Sequence, residues 1–188
     1  MHAIAFTGLP GSGKSEAVAV ACEMGLSVVN MGDAVRAETQ KRGLPQTDEY
    51  LGQVATEMRQ QYGMDIWAHH VLEHIEQNVG KPFVIDGIRT IKEIEIFRQN
   101  TDKFILVAVH ASPQSRYQHL KQRARSDDSM SEQALRRRDE RELGWGLGNV
   151  IAMADAVIVN EGSLAEFRKK VRHFVRGVLS YGFNGLQT

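Results

Sequence analysis

A single cysteine, Cys22, makes an internal disulfide impossible and points to a reducing, cytoplasmic compartment. An excess of charge of either sign is also missing. The 23 Lys+Arg are matched by 23 Asp+Glu, for a formal net charge of +0. Bulk electrostatics therefore offers no pull toward nucleic acid or an acidic membrane, and any basic site has to be local. Long apolar runs are absent too: none reaches the roughly 20 residues that a membrane-spanning helix needs, and the first is too short for a secretory signal. No internal repeat or low-complexity tract interrupts the chain. Present instead are 188 residues, 42% hydrophobic and 24% charged, the profile of one globular domain with a substantial core.

Strand and helix patterns alternate along that domain. "AIAF", "LSVVN", "PFVID", "FILVAVH" and "DAVIVN" read as strands. Several are continuous apolar runs, as in a parallel sheet buried on both faces. Between them lie helical segments: "KSEAVAVACEMG", "TIKEIEIFRQ", "PQSRYQHLKQRA", "SMSEQALRRRDEREL" and "SLAEFRKKVRHFVRGVL". Ser163 with Glu166 forms a capping box at the start of the last one. A mostly helical stretch over about 33–79 is broken near "RGLPQ" and "YGMD". The expected fold is a five-stranded parallel sheet with helices on both faces, carrying a helical insert over 33–79 and a short lid over about 122–145.

Between the first strand and the first helix stands "GLPGSGKSE", Gly8 to Glu16. It matches the phosphate-binding loop in sequence and in context. The glycines let the backbone N–H groups of Gly8, Leu9, Pro10's neighbours, Gly11, Ser12 and Gly13 turn around a polyphosphate. The helix N-terminus, at Ser15 and Glu16, adds its dipole. Lys14 reaches the outer phosphates and the Ser15 hydroxyl can ligate Mg²⁺. Asp86 ends a buried strand, where a carboxylate supports that metal. Gly87 follows it, so the carboxylate with which a motor ATPase polarises water is absent, as is an Asn-Lys-x-Asp tetrad for reading guanine. These absences favour phosphoryl transfer to a small acceptor. Arg36 and Arg89 follow the second and third strands, on the rim where open parallel sheets bind ligands. Their planar forks suit an acceptor's phosphate.

"MGDAVR", with Gly32, Asp33 and Arg36, resembles the Gly-Asp-x-x-Arg motif of adenylate and UMP-CMP kinases, whose arginine holds the acceptor phosphate. "FVIDGIR", with Gly87 and Arg89, resembles their Asp-Gly-x-Pro-Arg segment without its proline, and "RARSDDSMSEQALRRR" resembles their lid. The resemblance makes Arg123, Arg125 and Arg136 catalytic lid arginines. Register past Asp128 is open, so Arg137, Arg138 or Arg141 can stand in for Arg136. "ADAVIVNEGSLAEFRKKV" is similar to the end of dephospho-CoA kinases, which implies that Asn160 to Gly162 lies against the donor's adenine. The whole chain resembles a largely uncharacterised archaeal family of P-loop nucleotide kinases related to both, and "DERELGWGLGNVIAMAD" most suggests it.

The expectation is an ATP- and Mg²⁺-dependent kinase of a nucleoside monophosphate such as AMP. Its partners would be small-molecule nucleotides, not a membrane or nucleic acid, and it would be a monomer or homodimer. The glutamine with which adenylate kinases read the acceptor base has no counterpart in Thr90-Ile91-Lys92-Glu93. Dephospho-CoA kinase-like activity, or a nucleotide-dependent assembly factor with weak ATPase activity, therefore stay open. Other features have plain readings. His69, His70 and His74 mark a helix face, Cys22 a buried position, "GWGLG" a turn from lid to core, and Trp145 a core or hinge residue. Lys169, Lys170, Arg172 and Arg176 mark the outer face of the last helix.

Overall fold

The computed structural model describes residues 2–75, 82–123 and 131–181, without the side chains of His74, Arg123 and Tyr181. The chain runs β1 (His2–Thr7), α1 (Lys14–Glu23), β2 (Ser27–Asn30), α2 (Met31–Lys41), α3 (Asp48–Tyr62), α4 (Ile66–Ile75) and β3 (Phe83–Asp86). It continues through α5 (Ile91–Asn100), β4 (Lys103–His110), α6 (Pro113–Arg123), α7 (Glu132–Gly144), α8 (Leu147–Ala152), β5 (Ala156–Val159) and α9 (Leu164–Tyr181). The sheet order is β2-β3-β1-β4-β5 and every pairing is parallel.

Strand alternation divides the core. Ala3 and Ala5 of β1 face one side with Met31, Val54, Trp67, Phe97 and Leu147. Ile4 and Phe6 face the other with Ala17, Val20, Phe167, Val171 and Val175. β1 is shielded on both faces, which explains its unbroken apolar run. The register aligns Phe6 with Asp86 and Asn30 with Asp86. The loop after β1, the end of β3 and the end of β2 therefore meet on one rim.

The 33–79 segment resolves into α2, α3 and α4, with residues 76–79 outside the described part. Lid residues 124–130, and with them Arg125, also lie outside it. α7 buries Leu135 and Glu142, and Gly146, at φ +100°, opens α8, whose Leu147 and Val150 are buried. The "GWGLG" stretch is thus the turn from α7 back to the core. Cys22 corrects the sequence reading: it is exposed. The buried stripe of α1 runs through Ala17, Val20 and Ala21, and the next residue round the helix turns to solvent. Among the described residues there is no group of three or more His, Cys, Asp or Glu able to hold a metal, and no helix long and apolar enough to cross a membrane.

A buried ion pair joins α3 to α5. Arg59 of α3 and Glu93 of α5 lie 2.9 Å apart, with side chains 3% and 0% exposed. Burial lowers the pKa of Arg59, and Glu93 works against that fall. The other oxygen of Glu93 accepts from the backbone N–H groups of Arg89 and Thr90, within a capping box that starts α5. The Arg59 guanidinium also lies 4.5 Å from the Trp145 ring centroid. Arg59→Met should cost roughly 3–5 kcal/mol, because it leaves Glu93 charged, buried and unpaired. Chemical denaturation checks this, and a loss below about 1 kcal/mol, the scale of an exposed pair, would contradict the account.

Candidate active site

The loop after β1 turns into α1 through Gly13, at φ +108°. A β-carbon there would stand 2.5 Å from Asn160 Nδ2. That amide donates to the Ser12 carbonyl at 2.9 Å, so the turn between β5 and α9 closes directly onto the loop. Gly11, at φ +78°, is as tightly constrained: its β-carbon would meet the Arg116 carbonyl at 2.5 Å. Only glycine lets α6 and α9 approach this closely.

A cavity of about 730 Å³ opens above the loop. Pro10, Gly11, Gly13, Lys14, Ser15 and Glu16 form its floor, and Asn160 and Gly162 one end. Gly32, Arg36, Asp86, Gly87 and Arg89 line the rim, and Arg138 and Glu142 descend from α7. Gly8, Leu9 and Ser12 are not among the cavity's lining residues. Asp33 is turned outward, its side chain 73% exposed beside Arg36. Glu16 pairs with Arg168 of α9.

Helical phase sorts the lid arginines. Leu135, Arg138 and Glu142 share the inner face of α7. Arg136 is 73% exposed and pairs with Glu132, and Arg137 is exposed as well. Neither reaches the cavity. Arg141 turns to Asp48 of α3, at 2.9 Å, over Gly52, where a β-carbon would come within 2.5 Å of its guanidinium. Arg138 is the α7 arginine that lines the cavity. Neither Arg123's side chain nor Arg125 is within the described part.

Lys14 donates to the carbonyls of Gly8 and Leu9. Burial lowers its pKa to about 8, even though Glu142 and Asp86 oppose the fall; Arg89 and Arg138 add to it. A phosphate chain laid on the loop would supply the negative charge that this ammonium lacks. Asp86 accepts from Asn30 Nδ2 at 3.4 Å, and Asn30 also caps α2 by accepting from the Gly32 N–H at 2.7 Å. The "MGDAVR" segment is thereby anchored beside β3.

Sequence reasoning passed over two groups. Arg116 of α6 is buried and donates to the Pro10 carbonyl at 3.0 Å and, bidentately, to Asp139 of α7. It ties the loop to both flanking helices. Glu142 is the other: its carboxylate lies 3.1 Å from Arg89 Nε and 3.2 Å from Arg138 Nε. Burial by itself would raise the pKa of Glu142. Arg89, Arg138 and Lys14 outweigh that and bring it to about 2. Glu142 ends the charge-dense run from Arg136; only its place three and seven residues beyond Asp139 and Leu135 hints at an inward face.

A carboxylate whose pKa is lowered by folding stabilises the protein above its unfolded pKa and loses that contribution as pH falls. From the ordinary 4.5 to about 2, the contribution is on the order of 3 kcal/mol. Wild-type stability should therefore fall across that window by more than that of Glu142→Gln. Denaturation at pH 6, 4 and 3 measures the difference, and parallel curves would exclude it.

A family model described as an AAA domain matches residues 7–136. A UPF0200 protein of Methanosarcina mazei is 43% identical over 180 residues, covering 95% of this chain and 96% of that one. Another, from Methanothrix thermoacetophila, is 47% identical over 176 residues, covering 92% and 95%. Among solved structures, a gluconokinase from Sinorhizobium meliloti 1021 matches with a TM-score of 0.61 at 17% identity over 100% of this chain and 98% of its own. A shikimate kinase from Acinetobacter baumannii, in complex with shikimate, matches at 0.56 and 17% over 97% and 95%. Those two likenesses carry the fold: a P-loop kinase architecture of the nucleoside monophosphate kinase type.

Proposed function

We propose that this chain, which belongs to the archaeal UPF0200 family, transfers the γ-phosphoryl group of ATP to a phosphorylated small acceptor, in the first instance a nucleoside monophosphate such as AMP. The P-loop kinase-like fold suggests nucleotide-dependent phosphotransfer. The observation that carries it is one cavity in which the Lys14 loop faces Arg36, Arg89 and Arg138. A triphosphate alone would use the loop; three further guanidinium groups on the same cavity suit a second anion. The AAA description does not make a hydrolytic motor of the chain, since Gly87 follows Asp86 where such an enzyme needs a carboxylate.

In this reading the loop N–H groups and Lys14 hold the donor's phosphates, and the 160–162 turn borders its base. Arg36 and Arg89 orient the acceptor phosphate. Arg138 offsets charge on the transferring oxygens, so that rate comes from placement and electrostatic stabilisation. Ser15 and Asp86 are oxygen donors on the cavity wall and fit Mg²⁺. With no three-carboxylate cage among the described residues, such an ion would complete its shell with phosphate oxygens and water. When bound it neutralises phosphate charge. Closure of the elements around the cavity would exclude water from the transferring group.

A panel of nucleoside monophosphates and dephospho-CoA, incubated with ATP and Mg²⁺, should yield ADP together with a phosphorylated product, and Lys14→Ala should abolish both while the thermal unfolding profile persists. ADP without a phosphorylated product would favour the assembly-factor alternative, and undiminished turnover in Lys14→Ala would sink the loop assignment.

The two arginine sets should separate kinetically. Arg138→Ala should cut kcat by about 10³-fold, as the loss of an arginine finger does. Arg36→Ala should mainly weaken AMP binding, read by calorimetry without ATP. Equal effects of both on binding alone would remove Arg138 from the chemistry.

A further inference from the structure

Glu142 has a carboxylate's most awkward position: its side chain is 3% exposed, inside a cavity suited to anions. An anion fixed there would compete with substrate phosphates unless it serves them. Its contacts show how it can. One oxygen accepts from Arg89 Nε and the other from Arg138 Nε. Both bonds engage the inner nitrogen of the guanidinium, Nε. Arg89 is further fixed by Nη1 donating to the Gly87 carbonyl at 2.8 Å and by its backbone N–H donating to Glu93 at 2.7 Å. The same Arg138 Nε also lies 3.1 Å from Asp48 Oδ1, so the two carboxylates share it. The two arginines come from different elements, the β3–α5 loop and α7, and this carboxylate bridges them.

Resting on the kinase reading above, we propose that Glu142 is a positioning residue: it clamps Arg89 and Arg138 by their Nε atoms into one rigid unit, so that acceptor placement and stabilisation of the transferring group arise from a single preformed arrangement. It does not touch substrate and acts through the two arginines. Glutamine in its place keeps the shape but offers one accepting oxygen and turns an amide N–H₂ against a guanidinium. Aspartate keeps both oxygens on a shorter reach.

Two measurements decide it. The first needs no activity. In the wild-type protein the Nε–H signals of Arg89 and Arg138, assigned with Arg89→Lys and Arg138→Lys, should be sharp and slow to exchange in ¹⁵N NMR, as charge-assisted bonds require. The Arg89 signal should broaden in Glu142→Gln, that of Arg138, whose Nε Asp48 also reaches, should broaden in Glu142→Gln combined with Asp48→Asn, and at least one should persist in Glu142→Asp. Rapidly exchanging signals in the wild type overturn the proposal without any variant, which covers the case of a Gln variant that fails to fold. The second is steady-state kinetics with MgATP and AMP. Glu142→Gln should lower kcat by about 10²-fold, the loss expected when preorganised donors are misplaced, and raise KM for AMP by a smaller factor, because Arg89 orients the acceptor phosphate. Glu142→Asp should recover part of kcat. In Arg138→Ala the further change Glu142→Gln should cost clearly less kcat than it does in the wild type, because only its hold on Arg89 is left to lose. Additive losses, or a loss carried entirely by KM, overturn the positioning role. Should the wild type transfer phosphate to no acceptor, the kinase reading fails by itself, and the NMR result still decides whether Glu142 clamps the pair.

Discussion

Like charges crowded into a space with little water repel one another strongly, and Lys14, Arg89 and Arg138 surround a single buried carboxylate, Glu142. That balance governs the cavity. The carboxylate keeps the guanidinium groups from splaying apart, and the loop carbonyls hold the ammonium inward. Burial still lowers the lysine's pKa, although Glu142 and Asp86 oppose the fall. Phosphate oxygens are the chemistry that would relieve it.

The support for this arrangement forms a circuit. Arg59 pairs with Glu93, which holds the backbone of Arg89. The Arg89 side chain reaches Glu142, and Glu142 reaches Arg138. Arg138 and Arg141 both engage Asp48. Arg141 and Arg59 both lie against Trp145, whose indole N–H donates to Thr56. Helix α3, helix α7 and the β3–α5 loop are thereby joined electrostatically, and none can shift far without unpairing a partly or fully buried charge. Arg116 adds a second tie, from α7 through Asp139 to the loop itself.

Most of the architecture could be read along the chain. The five apolar runs became five parallel strands, and the glycine-rich stretch fell between the first strand and helix because its spacing leaves no other regular structure for it. Capping at Ser163 and Glu166 was legible from two residues. Cys22 was misread, since a shift of one position on a helix turns a residue by about 100°. The lid arginines were ambiguous for the same reason: consecutive Arg136, Arg137 and Arg138 point three ways, and only one of them lines the cavity.

Local sequence, then, determined what short-range physics can determine: where glycine is required, where a helix begins, and which runs are apolar enough to be covered on both faces. Tertiary structure alone decided which charges meet. Arg59 and Glu93 stand 34 residues apart, and Arg89 and Glu142 stand 53 apart. Nothing in the neighbourhood of either residue announces its partner. An ion pair of this kind exists only when packing brings both ends together and removes the water that would otherwise solvate them.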